Sequence, residues 1–305
     1  MSKFLTFLAL FLIPIFLFIG ALEFLVHTIP NSYSYKYNYI LKNGKHIQTL
    51  AMGHSQLYDG FKAESFKIPS FNLSNSAQSF KEDYYLLKDL IPRMTNLKCV
   101  ILPIGYMNVI DTDVSNEQWS ERSIFYHEYM NLDYDNHLPL KYRFECLHPG
   151  RAFEKVTSYY IHHIDIIGCD SLGRRSTHNL INRLHDLGYD KVLYDYTLNT
   201  HNKSKMHIQV DIYLERIANL LKENNIKLVL VSPPHFWACF KDINLEQKTF
   251  LQDYVNSLRR KYNFQYINLE DDIRFEDQDF YNETHLSEFG AEKFTRILND
   301  SIQLE

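Results

Sequence analysis

The chain has 305 residues, of which 45% are hydrophobic and 15% aromatic, with a formal net charge of −5. That is enough apolar material for one large core or two smaller ones, and it excludes a low-complexity or disordered chain. No basic block stands out, so nothing points to nucleic acid as a partner.

Residues 4–26 form a run of about 20 apolar residues, long enough to cross a bilayer as a helix. Only Thr6, Pro14, Gly20 and Glu23 interrupt it. A cleaved signal peptide has a shorter apolar core and a small-x-small exit. The exit here is Leu25-Val26-His27-Thr28-Ile29-Pro30, so residues 1–27 are expected to stay as a transmembrane anchor. Glu23 lies near one end and can reach the interface. Lys3 precedes the span, whereas Lys36, Lys42 and Lys45 follow it. Counted alone, these lysines favour the opposite of the usual anchor orientation. Residues 28–46 read as a tyrosine-rich stalk suited to the membrane–water boundary.

From residue 47 the pattern becomes that of a globular domain running to 305. Ile47 to Met52 reads as a short strand, followed at once by Gly53-His54-Ser55-Gln56. A second strand ends at Asn72-Leu73. Ser79 and Glu82 form a capping box, opening a helix with Phe80, Tyr84, Leu87 and Ile91 on one face. Cys99 to Ile104 is a continuous apolar run, as a strand buried on both faces should be. Val210, Leu214, Ile217 and Leu221 mark a helix, and Leu228 to Val231 a buried strand ending in Ser232-Pro233-Pro234-His235. Phe250, Leu251, Tyr254, Val255 and Leu258 mark another helix, and Phe264 to Ile267 a last strand. Ser287 is a natural N-cap. Phe294, Ile297, Leu298 and Ile302 then give a final helix one apolar face.

Residues 111–205 fit this alternation poorly and read as an insertion or lid. One helix is expected there, with Phe153, Val156, Tyr160, His163, Ile164 and Ile167 at helical spacing. His162 and His163 would point to different faces of it, so with Asp165 they make no shared metal site. The four cysteines, Cys99, Cys146, Cys169 and Cys239, include no CxxC pair, which removes zinc-ribbon and thioredoxin readings. Up to two disulfides are allowed outside the cytosol, and the pairing stays open. No metal or cofactor is called for.

Strands alternating with helices imply right-handed crossovers and a parallel sheet covered on both faces, an α/β/α sandwich. Ligands in such folds bind beyond the carboxyl ends of the strands. Ser55, Asn75, Asn108, His235 and His285 all fall just past a predicted strand or in the loop after one. Ser55 would sit on a strand-to-helix turn, and His285 in the loop feeding the last helix. Gly-x-Ser alone is expected about once by chance in such a composition. The combination of strand, Gly-x-Ser, parallel order and histidine loop is far less easily accidental.

On these residues the chain resembles the SGNH/GDSL hydrolase superfamily, in its membrane-anchored bacterial branch. The carriers are Leu50-Ala51-Met52-Gly53-His54-Ser55-Gln56, Phe71-Asn72-Leu73-Ser74-Asn75-Ser76-Ala77-Gln78-Ser79, and Asn282-Glu283-Thr284-His285-Leu286-Ser287-Glu288-Phe289-Gly290-Ala291. They span about residues 47–109 and 206–305. The resemblance implies a flavodoxin-like three-layer fold with Ser55 as nucleophile and His285 as its base. It implies oxyanion donation from the Ser55 N–H and from Asn75, with Asn108, Gln56 and His235 as further oxyanion or substrate-binding residues.

Relatives with one anchor include alginate O-acetyltransferases and the D-alanylation protein of teichoic acids. The resemblance therefore implies a domain on the outer side of a bacterial cell membrane. It would act on acylated envelope polysaccharide or another acyl ester, and could meet a membrane acyl-donor protein. Three departures stand out. Asn282 occupies the usual Asp position and is the expected third catalytic residue, its amide oxygen accepting the imidazole N–H and fixing the tautomer, with less stabilisation of the imidazolium than a carboxylate gives; Asp279 or Glu283 could supply the missing charge. Ser76-Ala77 replaces the second-block glycine, and Gly105-x-x-Asn108 is one residue out of step with Gly-x-Asn-Asp. Two functions follow: a serine esterase or O-acyltransferase, or a catalytically impaired protein that binds glycan or an envelope partner.

Overall fold

The computed structural model describes residues 2–105, 117–132, 144–164, 167–183, 187, 203–237 and 245–303. In chain order these hold α1 (Ser2–Thr28), α2 (Ser32–Asn43), β1 (Thr49–Ala51), α3 (Ser55–Gly60), β2 (Ser70–Asn72), α4 (Phe80–Leu90) and β3 (Cys99–Pro103). There follow α5 (Glu117–Met130), α6 (Pro149–Val156), α7 (Lys203–Glu223), β4 (Lys227–Ser232), α8 (Leu245–Tyr262), β5 (Gln265–Asn268) and α9 (Glu288–Ser301). Two compact units result: residues Met1–Tyr35 with Glu117–Gly168, and Lys36–Asn116 with Cys169–Glu305.

In the first unit, Lys3–Thr28 of α1 is long and apolar enough to cross a membrane. Its last turns carry Leu22 and Val26, which pack with Ala152 of α6 and with Cys146 and Val156. A π-helical turn, Thr157–Ile161, prolongs α6.

In the second unit all five strands are parallel, in the order β2-β1-β3-β4-β5. The continuous apolar runs explain this. β3 is buried along its whole length and β4 in all but its first residue, as a sheet covered on both faces requires. Right-handed crossovers put the β1-to-β2 connection on one face and the three later ones on the other. The packing agrees: α3 lies against α9, and α4 against α7. The expected α/β class and the five strands are thus observed, flanked by helices. The chain leaves β1 in one direction to β2 and then returns past it to β3. That reversal makes a switch point beside the carboxyl end of β1, where such sheets bind ligands.

Several elements differ from the sequence reading. The expected stalk is largely the helix α2, and its second half belongs to the sheet unit, with Lys36 and Ile40 fully buried. Residues 169–183, expected in the insertion, also belong to that unit; Asn72 N–H donates to Leu172 O at 2.9 Å beside β2. Gly173 makes this approach (φ +92°), since a Cβ there would lie 2.1 Å from Asn72 O. On α4 the buried apolar residues are Tyr85, Leu86, Leu87 and Leu90, whereas Phe80 and Tyr84 are half-exposed. The capping box of Ser79 and Glu82 is present. Cys99, Cys146 and Cys169 form no disulfide with one another, and Cys239, like Asp165, lies outside the described residues.

Candidate active site

The site is built at the end of β1. Gly53 turns the chain there with φ +106°, and a Cβ on it would lie 2.3 Å from the Pro103 ring beside it. Only glycine fits both demands. Ser55 then opens α3, with His54 as N-cap, its ring Nδ1 accepting from Gln56 N–H at 3.3 Å. Asn72 braces the far end of this short helix, donating through Nδ2 to Leu57 O at 2.7 Å and Phe61 O at 2.9 Å.

The second half of the site is the loop ahead of α9. Ser287 caps that helix, as its position predicts: its hydroxyl accepts from Gly290 N–H and donates to Gln278 O. Gly290 has no room for a side chain, because a Cβ would lie 1.9 Å from Asp279 O. The loop is closed by Tyr281 N–H donating to His285 O at 2.9 Å. His285 thereby hangs from a braced turn.

The two halves meet. His285 Nε2 lies 2.8 Å from Ser55 Oγ, although 230 positions separate them. The other ring nitrogen, Nδ1, lies 2.9 Å from Asn282 Oδ1. That atom also accepts the main-chain N–H groups of His285 at 2.9 Å and Thr284 at 3.1 Å. Main-chain N–H groups only donate, so the atom they meet is the amide oxygen. Nδ1 must then carry the ring proton, and Nε2 presents a lone pair to the Ser55 hydroxyl. Burial lowers the His285 pKa to about 4, with Asp59 pulling the other way. The ring is therefore a neutral acceptor at ordinary pH.

Asp59, one helical turn after Ser55, was not among the residues singled out from the sequence. It is fully buried, and its Oδ2 lies 3.8 Å from His285 Nε2. Its Oδ1 is 3.0 Å from Arg175 Nε and its Oδ2 3.0 Å from His178 Nδ1. The Arg175 distance suits an ion pair, though both contacts are poorly aligned as hydrogen bonds. Burial acts to raise the Asp59 pKa, but His178, His285 and Arg175 outweigh it and hold the carboxyl below its usual value. Arg175 Nη1 donates to His178 Nε2 at 2.8 Å. Arginine has no acceptor, so His178 keeps its proton on Nδ1, facing Asp59. The His178 ring stacks on Tyr281 at 4.1 Å and meets His285 edge-on at 5.5 Å. Arg175 N–H donates to Tyr58 O, and Arg174 Nε to Asp59 O, so the 169–178 segment clamps the end of α3.

The remaining expected residues have other partners. Gln56 Nε2 lies 2.9 Å from His235 Nε2 and donates to Thr284 O at 3.3 Å. Its amide hydrogens thus tie α3 to the histidine loop. His235 is buried, and burial lowers its pKa to about 3. Gln56 and His235 are thus placed as a brace behind the Ser55–His285 pair, with no Gln56 N–H turned to an oxyanion. Asn75 N–H donates to Gly53 O at 3.1 Å and its Nδ2 to Gln78 Oε1 at 3.1 Å. Its main-chain donor is therefore occupied, leaving one amide hydrogen. Asp279 is paired with Lys293 and accepts from Glu276 N–H, so it does not serve His285. Asn108 lies outside the described residues.

Lys36 is another residue the sequence reading missed. From α2 it reaches Ser74 O and, at 3.4 Å, Asn75 Oδ1, with Nζ 3.8 Å over the Tyr58 ring. Burial lowers its pKa to about 7.

No protein-family profile matches the chain, and no curated protein matches it. Among solved structures it is similar to a Bacteroides fragilis protein described as a putative acylhydrolase, at 10% identity and a TM-score of 0.36. The match covers 86% of this chain and 93% of that one. A likeness at that score says nothing about the chemistry.

Proposed function

We propose that the chain is a serine esterase or O-acyltransferase of the SGNH type that works through an acyl-Ser55 intermediate. The observation that carries this reading is the 2.8 Å approach of His285 Nε2 to Ser55 Oγ, with the proton fixed on Nδ1 by Asn282. In the first step Ser55 Oγ attacks the carbonyl carbon of an ester while its proton passes to His285 Nε2. The main-chain N–H of Ser55 and the remaining amide hydrogen of Asn75 are the proposed oxyanion donors. Collapse breaks the ester C–O bond, and Nε2 returns the proton to the leaving alkoxide. Water or a sugar hydroxyl then repeats the sequence on the acyl-serine, giving hydrolysis or transfer.

Asn282 orients the ring but brings no charge to it. In this scheme Asp59 supplies the charge from the other side: once Nε2 holds the proton, a carboxylate lies 3.8 Å away. Arg175 and His178 act as positioning residues that keep Asp59 ionised. With an apolar N-terminal helix long enough to span a membrane, the proposed substrate is an acylated envelope polysaccharide on the outer side. The membrane acyl-donor protein is a proposed partner in the transfer variant.

Turnover of p-nitrophenyl acetate by the full chain tests the reading. Hydrolysis that disappears in both Ser55→Ala and His285→Ala is the expected result. Tight glycan binding by a chain that neither hydrolyses this ester nor forms any acyl-serine would favour the impaired, binding-only alternative.

A further inference from the structure

The first unit carries a surface that catalysis does not use. Phe144, Leu147, Phe153, Tyr160, Ile161 and Ile164 are all exposed, between 40% and 65% of their full area. Phe153 stands on α6, Tyr160 and Ile161 on its π-helical extension, and Ile164 just past it, after His163 (φ +54°); together they make an exposed apolar stripe along this segment. Thr157 falls within that stripe, but its hydroxyl is turned back to Phe153 O at 2.9 Å. Ala152 and Val156, on the flank of the same helix, pack against α1.

The position of this helix along α1 is fixed by three contacts. Glu23 accepts the main-chain N–H groups of Glu145 at 3.1 Å and Cys146 at 2.7 Å. Leu22 and Val26 pack on Ala152. The Thr28 hydroxyl meets the Tyr160 hydroxyl at 2.6 Å. All lie in the last two turns of α1. The apolar part of α1 has 26 residues, or about 39 Å at 1.5 Å per residue, against roughly 30 Å of hydrocarbon. A helix of that length reaches into the headgroup layer, and α6 is attached at its C-terminal end, where the polar Glu23 and His27 stand.

We infer that α6 and its extension form an interfacial helix that lies on the lipid surface beside the end of α1, its exposed stripe dipping into the acyl boundary. A lipid occupant follows from continuity, because the stripe is held by hydrogen bonds to the span itself. Its composition fits, with tyrosine at the rim and large aliphatic and aromatic side chains below. Lys155 does not break the surface, since both Glu145 carboxylate oxygens hold it at 2.7 Å. The inference goes beyond the proposed catalysis and rests on α1 spanning the bilayer.

Depth-dependent fluorescence quenching tests it. The full chain, with Trp119 and Trp237 replaced by phenylalanine, is reconstituted in phosphatidylcholine–phosphatidylglycerol nanodiscs with lipids brominated, in parallel sets, near the headgroup end of the acyl chain and near its tail end, where mid-span Phe16 would lie. Single substitutions Phe153→Trp, Ile161→Trp, Phe16→Trp and Ile273→Trp are compared. Phe16 reports the span, and Ile273, 95% exposed in the sheet unit, reports a solvent-facing site. Quenching in Phe153→Trp and Ile161→Trp should exceed that in Ile273→Trp several-fold. Quenching in Phe16→Trp alone overturns the interfacial helix while leaving the span intact. Absence of quenching in Phe16→Trp overturns both.

Discussion

Replacing Asp59 with asparagine removes one charge and almost no volume. Two unit charges 3.8 Å apart attract by about 4 kcal/mol at an effective dielectric of about 20. Arg175, 3.0 Å from the other carboxylate oxygen, offsets part of this field, and about a fifth of the His285 side chain is open to solvent. Taking the effective loss as roughly half, about 2 kcal/mol, acylation should slow by about 30-fold. The loss falls on the transition state, because the neutral ring of the ground state gains little from the carboxylate. The assay is the second-order rate of Ser55 labelling by a fluorophosphonate across pH, with thermal midpoints measured alongside. Asp59 raises the His285 pKa, so the acid limb of the D59N profile should move below the wild-type value near 4. Wild-type rates and an unmoved limb in a folded D59N protein would refute the proposed role. If D59N does not fold, Arg175→Met probes the same field with the opposite sign: without the guanidinium that lowers the His285 pKa, the acid limb should move up, and an unmoved limb would refute the role.

Asn282→Asp puts a carboxylate against His285 Nδ1, where three N–H groups already converge. It should raise the imidazole pKa and speed labelling at neutral pH by about tenfold or more; an unchanged rate would mean that the Nδ1 partner is immaterial. Gly53→Ala forces a Cβ to within 2.3 Å of the Pro103 ring at φ +106°, and should cost about 3 kcal/mol in stability while displacing Ser55. A thermal midpoint and labelling rate equal to wild type would contradict that geometry. His285 and His235 titrate at about 4 and about 3 in the folded chain, whereas an unfolded imidazole titrates near 6.5. Below that pH the unfolded state binds more protons, so these two rings make stability fall as pH drops from about 6.5 towards 3, while buried Lys36, lowered to about 7, makes it fall separately between the ordinary lysine range and pH 7. Asp59, held below its usual value, adds nothing until the lower end of that range. Thermal midpoints between pH 7 and 4 check this by difference, because buried Asp83, raised well above its usual value, acts in the opposite sense: His235→Gln should shallow the slope, and an unchanged slope would exclude a buried neutral His235.

The strands were legible because a two-faced parallel sheet writes continuous apolar runs, as in Cys99–Pro103 and Leu228–Val231. Ser79 and Ser287 announced their helices through local capping chemistry, which needs no tertiary context. Ser55 and His285 were readable as strand-end and loop residues, and topology alone then sends both to one edge of the sheet. Asp59 was written four positions after Ser55, a spacing that puts both on one side of a helix, but α3 has only six residues and shows no periodicity. Lys36 sits among tyrosines that look like a boundary stalk, yet the aromatic Tyr58 face and the Ser74 carbonyl give its ammonium a buried home. Arg175 and His178 gave no signal, because their role arises from a clamp between segments more than a hundred positions apart. Phe153, Val156 and Tyr160 are spaced as on one helix face, yet Phe153 is exposed, Val156 packs on α1 and a π-helical turn breaks the 3.6 period after Val156; nothing local in the sequence marks that turn.

The central claim is that Ser55 is a nucleophile activated by His285. Intact-mass analysis and peptide mapping of the full chain after fluorophosphonate treatment tests it most directly. A single adduct on the peptide containing Ser55, lost in Ser55→Ala and strongly slowed in His285→Ala, is the predicted result. An adduct on another residue, or a Ser55 adduct formed at the same rate without His285, would contradict the account.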